Sequence, residues 1–240
     1  MNRRPRLYIK ETICSGDKIN LLASHLHYLL HVLRLQNGDE ILVFNEKEGE
    51  FLASLEVIKK QLAYAKVQEN LRVVTETRNL LFCFAPIKKF RLDYMIQKVV
   101  ELGVSAIQPV KTEYTQDSKL HYGKLELNIV EAMEQCGRLT KPKLAKICSL
   151  KDLLNNLAGE YHLFFCNEKE VNSVNSVEKI QKIKKQYKNL AVIIGPEGGF
   201  SPAEIELLLA SRFVSSISLG ENILRADTAA VAALALIELC

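Results

Sequence analysis

From residue 80 onward, short apolar runs alternate with amphipathic stretches of helical period, and this alternation restricts that part of the chain to a parallel sheet flanked by helices. Residues 80–85 (Leu-Leu-Phe-Cys-Phe-Ala) read as a buried strand. In residues 90–102, Leu92, Met95, Ile96, Val99 and Leu102 fall on one helical face, and Gly103 follows as the stop. A strand at 106–110, a helix around 124–136, a strand at 162–166, a helix at 177–187 and a strand at 190–194 continue the β-α order. No internal repeat or low-complexity tract interrupts it.

The first 72 residues carry a different rhythm. Leu26, Leu29, Leu30 and Leu33 sit at helical spacing within residues 23–35, and Asn37-Gly38-Asp39 is expected to stop that helix. Residues 41–44 and 51–57 then read as a hairpin around a polar turn containing Gly49, with a further strand at 62–67. A small β-rich module over residues 1–72 and an α/β domain over residues 73–240 are therefore expected, a division suited to 240 residues with 48% hydrophobic and 25% charged side chains.

Bulk properties remove several functions. No apolar run approaches the ~20 residues needed to cross a bilayer. The polar residues interrupting 7–11 break the apolar core that a signal peptide needs, so a cytoplasmic protein with reduced thiols is expected. The six cysteines show no C-x-x-C spacing, and His27 and His31, four apart, have no third ligand nearby, so no metal is expected. A net charge of +4 suits a polyanionic partner, with Arg3, Arg4, Arg6 and Lys10 crowded at one end and Lys88 and Lys89 adjacent. The cluster Lys182, Lys184, Lys185 and Lys188 reads as solvated surface.

Two loops carry the chemistry. The strand at 191–194 runs into Gly195-Pro196-Glu197-Gly198-Gly199, and Ser201, Pro202 and Glu204 then spell a capping box with proline at the first helical position. Phe200 is placed to staple against Ile205. Such a loop lies at the carboxyl end of a sheet strand, where open α/β folds bind ligands. It lacks the Gly-Lys-Ser/Thr ending of a phosphate loop and is not G-x-G-x-x-G, so ATP hydrolysis and ordinary dinucleotide binding lose support. Residues 216–220 repeat the arrangement: a strand ending at Gly220, then Glu221 to Ala226, with Asp227 expected to N-cap an Ala-rich helix. Two such neighbouring strand ends would enclose one pocket, apolar enough for an adenine.

Ile194, Gly195, Pro196, Glu197, Gly198, Gly199, Phe200 and Ser201, followed in order by Leu219, Gly220, Ile223, Leu224, Arg225, Thr228 and Ala229, resemble the paired cofactor signature of SPOUT methyltransferases. Lys88, Lys89, Gln97-Lys98 and 101–104 resemble the first catalytic-domain segment of the RsmE family, and Glu134-Gln135-Cys136-Gly137-Arg138 with Pro142 resembles its E-Q-S/C-G-R segment. His31 to Leu35 with Gly38-Asp39 matches the family's N-terminal module. The sequence departs from the family at Glu113-Tyr114-Thr115-Gln116, where Glu-Arg-Ser is usual.

The resemblance implies a PUA-like β-barrel followed by a SPOUT α/β domain with a deep trefoil knot, a homodimer, and S-adenosylmethionine-dependent methylation of uridine N3 in 16S ribosomal RNA, the RNA being met within the small ribosomal subunit. Cofactor contacts are expected from Ile194, Gly195, Pro196, Glu197, Gly198, Gly199, Leu219, Gly220, Ile223, Leu224, Arg225, Thr228 and Ala229. Arg225 is expected to stabilise developing charge and Glu197 to organise the loop. Arg3, Arg4, Arg6, His31, Arg34, Lys88, Lys89 and Arg138 are the candidate RNA contacts. The alternatives are another SPOUT enzyme acting on ribose 2′-oxygens or tRNA, and a non-catalytic RNA-binding assembly factor.

Overall fold

A computed structural model describes residues 4–59, 62–76, 78–115, 119–167 and 173–240. The chain forms two compact units, one comprising residues 1–76 with 130–141 and the other residues 77–129 with 142–240.

The first unit contains strands β1 (Arg6–Tyr8) and β2 (Lys18–Asn20), helix α1 (Ala23–Leu26) continued by a π-helical turn (His27–Val32), and strands β3 (Glu40–Asn45), β4 (Gly49–Lys59) and β5 (Leu62–Arg72). They build a five-stranded sheet in the order β1-β3-β4-β5-β2. Alternation along β3 to β5 sends Ile41, Val43, Phe51, Ala53, Leu55, Ala63, Ala65 and Val67 into one core with Leu26 and Leu29. The helix ends earlier than Gly38. Leu33 closes it, and Arg34 takes φ 58°, the only positive φ of a non-glycine among the described residues. The amide of Leu35 then donates to Leu29 O at 2.9 Å, so the chain turns away before Gly38, which instead donates to Leu55 O.

Arg6 departs from the surface role expected of it. It is buried, its Nε donates to Glu50 Oε1 at 2.6 Å, and its terminal nitrogens donate to the carbonyls of Met133, Glu134 and Arg138. Its guanidinium also lies 4.1 Å from the centre of the Phe44 ring. A guanidinium removed from water requires such partners. Arg6 therefore ties β1 to residues 130–141 and is withdrawn from the set of RNA contacts. The amide of Tyr8 adds a bond to Glu134 Oε1 at 2.9 Å, so the Glu134–Arg138 segment is engaged in holding β1.

The second unit follows the expected alternation: β6 (Asn79–Phe84), α2 (Lys89–Glu101), β7 (Ala106–Lys111), α3 (Tyr122–Cys136, whose end groups with the first unit), β8 (Lys143–Leu144), β9 (Cys148–Ser149), α4 (Leu150–Leu157), β10 (His162–Cys166), α5 (Ser173–Gln186), β11 (Asn189–Ile194), α6 (Pro202–Ala210), β12 (Val214–Ile217) and α7 (Ala226–Leu239). The strand order is β12-β10-β11-β6-β7-β8, with β9 also on β7, and all of these pairings are parallel. Strands buried on both faces need continuous apolar runs, which explains Phe82, Cys83 and Phe84 in β6 and residues 190–194 in β11. Helix α4 was not anticipated, yet its signals are plain: Ser149 caps Asp152 N, and Leu150, Leu153, Leu154 and Leu157 are buried at helical spacing. Each such leucine contributes about 1.5–3 kcal/mol over exposure. Among the described residues no helix is long and apolar enough to cross a membrane.

Candidate functional site

Because β12, β10 and β11 are adjacent and parallel, the loops leaving their carboxyl ends converge on one side of the sheet. Between them lies a cavity of about 560 Å³, within the size range of cofactor pockets. The β11 loop contributes Ile194 through Phe200, the β12 loop contributes Leu219, Gly220, Asn222, Ile223, Leu224 and Arg225, and the first turn of α7 contributes Ala226 and Ala229. Both glycine-ended loops thus reach the same cavity, although β12 itself stops at Ile217, three residues before Gly220.

The β11 loop is shaped by close approach. Its internal bond is backbone to backbone, Gly199 N to Pro196 O at 2.9 Å. A Cβ on Gly195 would lie 2.9 Å from Cε2 of Phe200, and one on Gly198 would lie 3.2 Å from Cβ of Tyr114. Phe200 in turn meets Phe165 edge to face at 5.3 Å. Ser201 Oγ accepts from Glu204 N while Glu204 Oε2 accepts from Ser201 N, the capping box expected for α6. The second oxygen of that carboxylate accepts from the amide of Glu113 at 2.8 Å, so the helix cap also fixes the loop after β7.

Several site residues stand differently from expectation. Thr228 is exposed and is not among the residues lining the cavity. The N-cap of α7 is Arg225, whose extended backbone (φ −65°, ψ 152°) makes no side-chain cap bond, and Asp227 sits inside the first turn. Asp227 therefore does not cap the helix, and its Oδ1 is buried without a hydrogen-bond partner among the described residues. Glu197 is exposed on the cavity wall, and its carboxylate makes no hydrogen bond among the described residues, so the backbone turn organises the loop. Arg225 is exposed and lines the cavity.

Phe165, Cys166 and Asn167 at the end of β10, with Arg91 and Tyr114, line the cavity without having been anticipated. β10 is an apolar run like its neighbours and carries no glycine-rich turn, so only the strand order reveals that its end lies between the two loops. Burial pushes the Cys166 thiol up to about 12, which keeps it protonated and unreactive.

The candidate RNA contacts divide by exposure. His31, Arg34, Lys88 and Lys89 are exposed, and Arg4 is exposed and paired with Glu40. Arg138 is half-buried, its Nε donating to Thr140. Arg3 lies outside the described residues.

The match to an RNA methyltransferase domain covers residues 75–238, and the match to an RNA methyltransferase PUA domain covers residues 25–68. Fold and site thus define an α/β RNA methyltransferase carrying a PUA-like domain. The ribosomal RNA small subunit methyltransferase E of Rickettsia conorii is 36% identical over 98% of this chain and 95% of its own length. That of Synechocystis is 32% identical over 90% of this chain and 71% of its own. The crystal structure of the Neisseria gonorrhoeae methyltransferase E bound to S-adenosylmethionine superposes with a TM-score of 0.84 at 26% identity, over 99% of this chain and 98% of that one. A methyltransferase structure from Legionella pneumophila with bound cofactor gives 0.84 at 29% identity, over the same shares. The chain belongs to the ribosomal RNA small subunit methyltransferase E family.

Proposed function

We propose that the protein transfers a methyl group from S-adenosylmethionine to N3 of a specific uridine in 16S ribosomal RNA, as a cytoplasmic homodimer acting on the small subunit. The supporting observation is the single cavity shared by the two glycine-ended loops. Its walls fit this cofactor: apolar side chains from Ile194, Ile223, Leu224 and Ala229 suit an adenine, and the amides of the two loops suit its polar groups. The close approaches at Gly195 and Gly198 leave backbone rather than side chain facing the ligand.

Ile194, Gly195, Pro196, Glu197, Gly198, Gly199, Leu219, Gly220, Ile223, Leu224, Arg225 and Ala229 would hold the cofactor, with Thr228 supporting the start of α7. The bound cofactor supplies a methyl group already activated on a sulfonium, so the protein's work is positioning and charge compensation. Arg225, free of any cap bond and lining the cavity, adds positive charge to the site that favours departure of the N3 proton to solvent. Glu197 faces the ligand from the turn. Residues 1–72 serve as the RNA-holding PUA-like β-barrel and residues 73–240 as the SPOUT methyltransferase domain with its C-terminal knot. Arg4, His31, Arg34, Lys88, Lys89, Arg138 and Arg3 supply phosphate contacts.

The test is incubation with small ribosomal subunits lacking the modification, followed by nucleoside mass analysis. A base-methylated uridine is expected. A ribose-methylated nucleoside would support the 2′-O alternative, and cofactor binding without any incorporation would support an assembly factor.

A further inference from the structure

Two side chains line the cavity from outside both cofactor loops: Arg91 in the first turn of α2 and Tyr114 after β7. In the order β12-β10-β11-β6-β7, the β11 loop stands between them and the β12 loop. At ~4.8 Å per strand, the end of β7 lies roughly 10 Å to one side of β11 and the end of β12 roughly 10 Å to the other. The cavity therefore has two ends, one walled by the β12 loop and one by these two side chains.

Tyr114 is 46% exposed yet firmly held. Thr112 N donates to Thr115 Oγ1 at 2.9 Å, Thr115 N donates to Thr112 O at 3.1 Å, and Glu113 N is bound by Glu204. Gly198 backs the tyrosine, since any Cβ there would press on it at 3.2 Å. Among the described residues the Tyr114 hydroxyl has no partner. A fixed, half-exposed ring at a cavity mouth offers a stacking face to an unstacked base. Arg91 is half-buried and has no carboxylate partner among the described residues, its ring contact being Phe90 at 5.4 Å. A partly desolvated guanidinium without a counter-charge is completed by a ligand bearing acceptor oxygens.

We infer that Tyr114 and Arg91 form the acceptor-base subsite: an unpaired pyrimidine, turned out of its RNA, stacks on Tyr114 and presents its carbonyl edge to Arg91. In this arrangement Tyr114 supplies the stacking face and Arg91 the cation, both from outside the cofactor loops. This rests on the methyltransferase reading, and the experiment separates the two.

Calorimetry with S-adenosylmethionine comes first, because absence of cofactor binding by the parent protein overturns the methyltransferase reading itself. Tyr114→Ala, Tyr114→Leu, Tyr114→Phe, Arg91→Gln and Arg91→Lys are then compared with the parent on unmodified small subunits. Cofactor affinity within twofold of the parent establishes that each variant is folded. The expected result is a KM for subunits raised on the order of ten- to a hundredfold in Tyr114→Ala and Tyr114→Leu. Tyr114→Phe should stay within about twofold of the parent. Arg91→Gln should lower kcat and move the rising limb of the pH–rate profile to higher pH, with partial recovery in Arg91→Lys. Unchanged KM, kcat and pH profile in these variants overturns the subsite. So does a loss of cofactor affinity equal to the loss of activity, which would place both residues at the cofactor end.

Discussion

Replacing Arg6 by alanine is expected to destabilise the first unit rather than to weaken RNA binding. The Arg6 and Glu50 side chains are 3% and 4% exposed, and their 2.6 Å pair sits beside three carbonyls that the same guanidinium satisfies. Without Arg6, the ion-pair partner left to Glu50 among the described residues is Arg72, at 3.4 Å and half-exposed. Breaking a buried pair from one side costs about 3–5 kcal/mol. At about 2–4 °C per kcal/mol for a chain of this length, Tm should fall by roughly 6–20 °C. Arg4→Ala is the control: its ion pair with Glu40 is about half-exposed on both sides, so a change within about 1 kcal/mol is expected. Circular dichroism melts at one scan rate measure both. RNA binding, measured in the cold against salt, should keep its slope in Arg6→Ala. A parental Tm together with a slope reduced by about 0.7–0.9 would refute the buried assignment and restore Arg6 as a phosphate contact.

Gly195→Ala places a Cβ 2.9 Å from Phe200, itself packed on Phe165, and overpacking of about 1–3 kcal/mol should weaken cofactor binding on the order of five- to a hundredfold by calorimetry. Ser201→Ala removes half of the capping box, and a loss of about 1 kcal/mol in chemical denaturation is expected. Burial raises the Glu134 carboxyl to about 7, with the neighbouring Glu131 adding to the rise and the Tyr8 amide and Arg6 opposing it. The folded state therefore takes up this proton more readily than the unfolded chain. Its contribution is fully present below about pH 4.5 and is lost as pH rises through about 7. Glu134→Gln should flatten the dependence of the denaturation midpoint on pH across that window, and an unchanged slope counts against it.

The second unit was legible because its signals are local and redundant. The β11–α6 junction combines an apolar run, glycines, a proline at the first helical position and a capping box, all pointing to one boundary. The end of α1 was misplaced because Arg34 takes the left-handed conformation normally left to glycine, and the π-helical turn before it alters the period. The burial of Arg6 could not be read from a cluster of basic residues, since its partners at 50, 133, 134 and 138 are distant in sequence. Part of the cavity was hidden for the same reason. Residues 165–167, Arg91 and Tyr114 reach it through strand order, a long-range property, while both glycine loops announce themselves in sequence.

A crystal structure of the protein grown with S-adenosylmethionine tests the central claim most directly. Density for the cofactor is expected between residues 194–200 and 219–226, with its polar groups on loop amides and its methyl directed toward Arg91 and Tyr114. Cofactor density elsewhere, or an empty cavity at saturating concentration, would contradict the account.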